Sequence, residues 1–176
     1  MNILFLINDG FEETETTAPY DVLKRAGYNV VIASNKTKAI GAHGIVFDNL
    51  IPLSNIKKDD YDMLVLPGGP QWKANSTDKS YLDIMTYFAQ NKKIAAICAS
   101  PTIMGDHGLL KGKKYTCFPP MHKDSCGGEF TGGPAEIDGN IITGRSAGSS
   151  LEFGFKIVEA LEGKEKAKSV ADGMYY

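Results

Sequence analysis

Five short apolar runs, Ile3–Ile7, Val30–Ala33, Met63–Leu66, Ile94–Cys98 and Ile141–Thr143, are continuous where a half-exposed strand would alternate. A strand with one face in water shows apolar and polar side chains at period two; a strand covered on both faces is apolar throughout. Segments with helical spacing lie between most of these runs. Asp9 and Glu12 have capping-box spacing ahead of "EETETTAPYDVLKRAG", which stops at Gly27. "DKSYLDIMTYFAQN" sets Leu82, Met85 and Phe88 on one face. Ser149 and Glu152 repeat the capping spacing before "LEFGFKIVEALEG", where Leu151, Phe155, Val158 and Leu161 recur and Gly163 ends the helix.

Buried strands joined by crossover helices predict a doubly wound α/β fold with a parallel sheet. Region 41–56 reads as a small β-hairpin excursion. Region 117–139, rich in Gly and Pro, reads as loops with short strands, and Asp138-Gly139 as a tight turn. No repeat, linker or low-complexity tract divides the chain, so its 176 residues are read as a single domain, 1–176.

The net charge of −2, with signs interspersed, gives no basis for binding nucleic acid or a membrane surface. No apolar run approaches the ~20 residues that cross a bilayer. "NILFLI" has no basic leader before it and no small-residue cleavage site after it, and is read as a strand, not a signal peptide. Three cysteines without a CxxC pair argue against a disulfide framework and for a reducing, cytoplasmic setting.

Ligands of an open parallel sheet bind beyond the carboxyl ends of its strands. Three runs end there in unusual residues: "NDGFEETE", "PGGP" at Pro67–Pro70, and Cys98. Cys98 has small neighbours two positions away on each side, Ala96 and Ser100, as a sharp strand-to-helix elbow requires. Backbone N–H groups at such a junction favour a thiolate; an inert core cysteine is the alternative. Glu12, Glu13 and Glu15 fit the acidic first turn of a helix, but a carboxyl turned inward over the sheet would be desolvated, and once protonated could donate to a thiolate or shuttle a proton. Gly68-Gly69 is either a tight turn or a close-approach N–H donor. Cys117, His122 and Cys126, with His107, match no zinc spacing. His43, His107 and His122 read as surface or loop histidines. "GGEFTGGP" lacks GxGxxG and a P-loop lysine, against nucleotide binding.

"FEETE", "DVLKRAGYNVVIAS", "DMLVLPGGP", "AAICASPT" and "ITGRSAGSSLEFGFKIVEAL" fall in an order and spacing that resembles the ThiJ/PfpI superfamily over almost the whole chain. The likeness is greatest to the branch that contains the parkinsonism-associated protein deglycase. It implies a flavodoxin-like doubly wound sheet sandwiched by helices, a homodimer, no cofactor, and glyoxalase or deglycase chemistry on small reactive aldehydes or glycated adducts. By the resemblance Cys98 is the elbow nucleophile, Glu15 its carboxylic partner, and the N–H groups of Gly69 and Ala99, with Gly68 beside them, the oxyanion-type donors. Arg25 and Arg145 match arginines near an anion-friendly pocket at the dimer interface. Many members carry an assisting histidine after the "KYT" strand, where this sequence has Phe118; His122 lies four residues on. The protease-like branch has a histidine directly after the cysteine, where this sequence has Ala99, which argues against peptidase activity. The rival expectation is a redox-responsive stress protein or chaperone that signals through oxidation of Cys98 to the sulfinate.

Overall fold

Each of the five apolar runs is a strand of one sheet. The structure, a computed structural model, describes residues 1–176. Strands β1 (Asn2–Leu6) and β2 (Asn29–Ser34) flank helix α1 (Glu13–Arg25), and a two-stranded excursion, β3 (Ala39–Ile40) with β4 (Val46–Phe47), precedes β5 (Ile51–Pro52). Next come β6 (Met63–Leu66), a short α2 (Trp72–Asn75), α3 (Lys79–Asn91), β7 (Lys93–Ile97) and α4 (Ser100–Asp106). The chain continues through β8 (Lys114–Tyr115), β9 (Glu129–Phe130), β10 (Ala135–Asp138) and β11 (Ile141–Gly144) to α5 (Ser150–Glu162) and α6 (Lys164–Gly173). The main sheet has the order β10-β11-β7-β6-β1-β2-β5. Its pairs are parallel except β10–β11, a hairpin closed by Gly139 at φ +64°. The excursion is confined to 39–47, because Ile51–Pro52 pairs with Ala33 and Ser34 as the sheet's edge.

The runs are continuous because both faces are covered. Ile3, Phe5, Met63, Val65, Ala95 and Ile97 pack under α1, α5 and α6, whereas Leu4, Leu6, Leu64, Leu66 and Ala96 pack under α3 and α4. Each of these side chains larger than alanine contributes ~1.5–3 kcal/mol on burial.

Four local expectations are corrected. The N-cap of α1 is Glu12, whose Oε2 accepts the Glu15 N–H at 2.7 Å. Asp9 instead accepts the Ile40 N–H at 3.0 Å and pairs with Lys36 at 2.6 Å, which anchors the excursion. Ser149 precedes α5 but makes no side-chain cap bond. The buried stripe of α5 is Phe153, Gly154, Ile157 and Val158, with Leu151, Phe155 and Leu161 at its margin. Gly154 sets that register, since a Cβ there would stand 3.0 Å from Val22 Cβ and 3.2 Å from Pro19 Cα of α1. On α3 the buried stripe is Tyr81, Ile84, Met85 and Phe88, with Leu82 only half-buried.

Candidate active site

Strands β7, β6 and β1 are neighbours, so the segments leaving their carboxyl ends meet over the same edge of the sheet. Cys98 leaves β7 with φ +63°, a left-handed conformation that a residue with a Cβ adopts at a cost of about 1–3 kcal/mol. The surroundings hold it there. Its N–H donates to Gly144 O at 3.0 Å, and its carbonyl accepts the Phe118 N–H at 2.9 Å. Ala96 and Ser100 are fully buried on either side, and Ser100 Oγ donates to Pro67 O at 2.7 Å, tying α4 to the glycine turn. The thiol remains partly exposed at the apex.

Glu15 turns inward from the first turn of α1 and is 1% exposed. Its Oε2 accepts the Gly68 N–H at 2.9 Å, and its carboxyl lies beside the Cys98 side chain across Gly68. Only glycine fits between them: a Cβ on Gly68 would lie 2.7 Å from Glu15 Oε2 and 2.8 Å from Cys98 Cβ. Gly69, at φ +90°, is equally constrained, because a Cβ would sit 2.5 Å from the Glu12 nitrogen.

Burial pushes the Glu15 carboxyl up to about 7; its bond to Cys98 opposes the rise, the Glu12 charge adds to it, and the N–H groups of Gly68 and Ala147 oppose it. Burial, then the charge and acceptor bond of ionised Glu15, push the Cys98 thiol up, while the N–H groups of Ala99 and Gly69 pull it down. The expectation of a simply depressed thiol is therefore corrected. The two downward donors are those expected, but burial, with the ionised carboxylate beside the sulfur adding to it, outweighs them. A proton on Glu15 would remove the repelling charge and make the carboxyl a donor to sulfur.

Arg145 follows β11 one residue beyond the carbonyl that fixes Cys98, and its guanidinium donates to Gly132 O at 3.1 Å. Arg25 does not approach the site within this chain. It lies in the last turn of α1, about 15 Å along the helix from Glu15, exposed and ion-paired with Asp21 at 2.7 Å. His122 is also apart: it is exposed, its Nδ1 donates to Pro119 O at 2.8 Å, and its ring stacks on Phe130 with centroids 4.5 Å apart. His107 bonds Ile103 O at 3.0 Å. Glu13, left to the helix start by sequence reasoning, is buried and clasps the excursion, accepting the His43 N–H at 2.6 Å and meeting His43 Nδ1 at 2.8 Å. Glu12, Glu13 and His43 form a group of possible cation ligands with atoms within 4.8 Å of one another. Sequence reasoning also missed Gln71, a 2%-exposed carboxamide under the glycine turn. A polar residue just after "PGGP" was its only trace. No helix is long and apolar enough to cross a membrane.

The sequence profile of the DJ-1/PfpI family matches residues 1–160. Protein DJ-1 homolog B of Arabidopsis thaliana is 40% identical over 169 residues, which are 93% of this chain but 39% of that one. The chain thus spans well under half of that relative. The protein dj-1beta of Drosophila melanogaster is 36% identical over 97% of this chain and 95% of its own, and its crystal structure superposes with a TM-score of 0.89 over 99% of this chain and 97% of that one at 33% identity. A deglycase of Pyrococcus abyssi is 30% identical over 92% of this chain and the whole of its own length.

Proposed function

The chain belongs to the DJ-1/PfpI family, and from that premise we propose a cofactor-free, cysteine-dependent glyoxalase or deglycase acting on methylglyoxal-like aldehydes or their adducts on thiols and amines. The observation that carries this reading is the buried Glu15 carboxyl, held by the Gly68 N–H at 2.9 Å and set beside the Cys98 side chain at the glycine turn. Thiolate sulfur adds to the aldehyde carbon, and the oxygen takes up a proton to give a hemithioacetal; the adjacent N–H groups steady the developing oxyanion. Glu15, now a carboxylate, removes the proton from that carbon and returns it to the neighbouring one, so the enediol becomes a thioester. Water then releases the 2-hydroxy acid and restores the thiol; the net change is addition of one water to the dicarbonyl. Arg145, beside the turn that holds Cys98, is positioned to attract an acidic product or adduct. Lactate formation from methylglyoxal, abolished by Cys98→Ala, tests the reading; no lactate above the uncatalysed rate removes it.

The second reading, a redox-responsive stress protein or chaperone, is favoured by Phe118 where an assisting histidine is expected. There Cys98 thiolate and two hydrogen peroxides give the sulfinate and two waters, and neutral Glu15 donates to a sulfinate oxygen. Negligible turnover with a peroxide-dependent change in client binding selects it. In either reading the protein works in a reducing, cytoplasmic setting as a homodimer; Ile40, Ile45 and Val46, each about half exposed on the excursion, supply apolar surface for a second copy. Ala99 directly after the nucleophile speaks against peptidase activity.

A further inference from the structure

The Gln71 carboxamide touches three backbone groups and nothing else polar. Its Oε1 accepts the Asn8 N–H at 2.7 Å, and its Nε2 donates to Pro67 O at 2.8 Å and to Gly68 O at 2.9 Å. Its own N–H donates to Gly10 O at 3.0 Å, so the residue is fixed at both ends against the exit of β1. Successive carbonyls of an extended chain point to opposite sides. Here two in a row turn toward one nitrogen.

Every peptide bond in the chain is trans, and a trans peptide is planar, with its C=O and N–H pointing in opposite directions. Pro67 O shares a plane with the Gly68 N–H, and Gly68 O shares the next with the Gly69 N–H. Holding both oxygens on one side therefore directs both N–H groups to the other, as a concave pair of donors. The first donates to Glu15 Oε2 at 2.9 Å; the second faces the Cys98 sulfur. We propose that Gln71 is the positioning residue that aims the two backbone donors of the site, one at each member of the Cys98–Glu15 pair. Each carbonyl has one other donor, Ser100 Oγ at 2.7 Å on Pro67 O and the Glu12 N–H at 3.1 Å on Gly68 O. Those donors belong to the elements that follow the thiol and carry the carboxyl. Gln71 alone holds both planes at once, and it makes their orientation depend on β1 through Asn8.

This inference rests on Cys98 as the reacting group and not on any substrate. Its test is the rate of Cys98 alkylation by iodoacetamide as a function of pH, with no aldehyde present. Gln71→Met keeps the volume and loses both donors; Gln71→Glu keeps an acceptor for Asn8 and, once ionised, also lacks them. Both should move the alkylation midpoint upward, with a roughly tenfold lower rate below it, the consequence of one pKa unit. Cooperative melting and a Cys117 that stays unlabelled certify the fold. An unchanged midpoint in a folded variant overturns the proposal, because a filler that only satisfies buried backbone would leave the thiol's titration alone. If neither variant folds, the unaltered protein decides. Its Gln71 side-chain amide protons should exchange far more slowly than those of exposed Gln90 and should show through-hydrogen-bond couplings to the Pro67 and Gly68 carbonyls. Exchange at the rate of Gln90, without those couplings, overturns it. A protein that turns over no aldehyde yet shows the shift loses the glyoxalase reading and keeps this one.

Discussion

The Glu15 carboxylate lies 2.9 Å from the Gly68 nitrogen and is 1% exposed, so the Gly68 N–H holds its charge in place while the protein removes it from water. The carboxyl is raised from 4.5 to about 7 chiefly by that burial. Between those values the folded state binds more protons than the unfolded one, and stability falls as pH rises. The penalty is absent below the unfolded value and complete above about 7, where it amounts to roughly 3 kcal/mol. Glu15→Gln, which keeps an oxygen for the Gly68 N–H, should therefore match the parent near pH 4 and melt at a higher temperature at pH 8. Its turnover should be nearly lost, because an amide cannot take the substrate proton. Equal melting temperatures at both pH values would show that the ionised carboxylate is not strained by burial.

The glycine between the pair gives a sharper test. Gly68→Ala places a methyl 2.7 Å from Glu15 Oε2 and 2.8 Å from Cys98 Cβ, both on rigid elements. It should cost about 2 kcal/mol or more in stability and on the order of a hundredfold in kcat, the scale seen for loss of a positioned proton carrier. Urea unfolding and methylglyoxal kinetics on the same preparation check both; an alanine variant with parental values would mean the two side chains do not depend on their separation.

The thiols should differ in order of reaction. Cys117 is fully buried, and burial, followed by the charge of Cys126, pushes its thiol up to about 12; Cys98 sits partly open at its elbow. Substoichiometric iodoacetamide followed by peptide mapping should place most label on Cys98, some on half-buried Cys126 and none on Cys117. Equal labelling of all three would remove the elbow as the source of reactivity.

The excursion should loosen at both ends of the pH scale. Glu13 raises the His43 pKa, first through their hydrogen bond and then through charge. Burial pushes the Glu13 carboxyl up, but its bonds to the His43 side chain and N–H pull it below its ordinary value on balance. The histidine's contribution is complete below its unfolded value and fades as pH rises through the raised one; the carboxylate's is complete above its unfolded value and fades as pH falls through the lowered one. Amide exchange at His43 and Ile45 should be slowest in the window between, and His43→Ala should abolish that minimum. Protection factors at His43 and Ile45, taken relative to intrinsic exchange, that do not vary with pH in the parent would show that the clasp is not ionic.

Much of this site was legible because its strands are buried on both faces. An unbroken apolar run marks its own end, so Cys98, Gly68 and the acidic cluster could be placed on one edge from the sequence, and resemblance selected Glu15 from three glutamates. What escaped depends on distances that spacing does not carry. The sequence offers Asp9 as the cap of α1, and only the path of the excursion, which engages Asp9 through Ile40 and Lys36, leaves the cap to Glu12. Arg25 shares a helix with Glu15 but is separated from it by the length of that helix. Gln71 acts through carbonyls, which leave no pattern in side chains. The thiol's electrostatics followed the same limit: the backbone donors and the carboxyl partner were visible, and the burial that opposes the thiolate was not.

Phe118 and His122 should respond in opposite ways to substitution. Phe118 donates its N–H to the Cys98 carbonyl at 2.9 Å, so its side chain leaves the backbone beside the nucleophile, and its ring is 40% exposed. His122, four residues on, is occupied by Pro119 O and the face of Phe130. An imidazole at position 118 would add a group that titrates near pH 6.5 where the substrate oxygen gains and loses its proton, and such groups are worth 10²–10⁴-fold when well placed. Phe118→His should raise kcat for methylglyoxal by at least about tenfold and add a limb near that pH to the rate profile, leaving the rate of Cys98 alkylation unchanged. His122→Ala should alter neither kcat nor the profile. Loss of turnover in His122→Ala would mean that the 118–126 segment refolds over the site when substrate binds, and that His122 takes the part expected of a histidine at position 118.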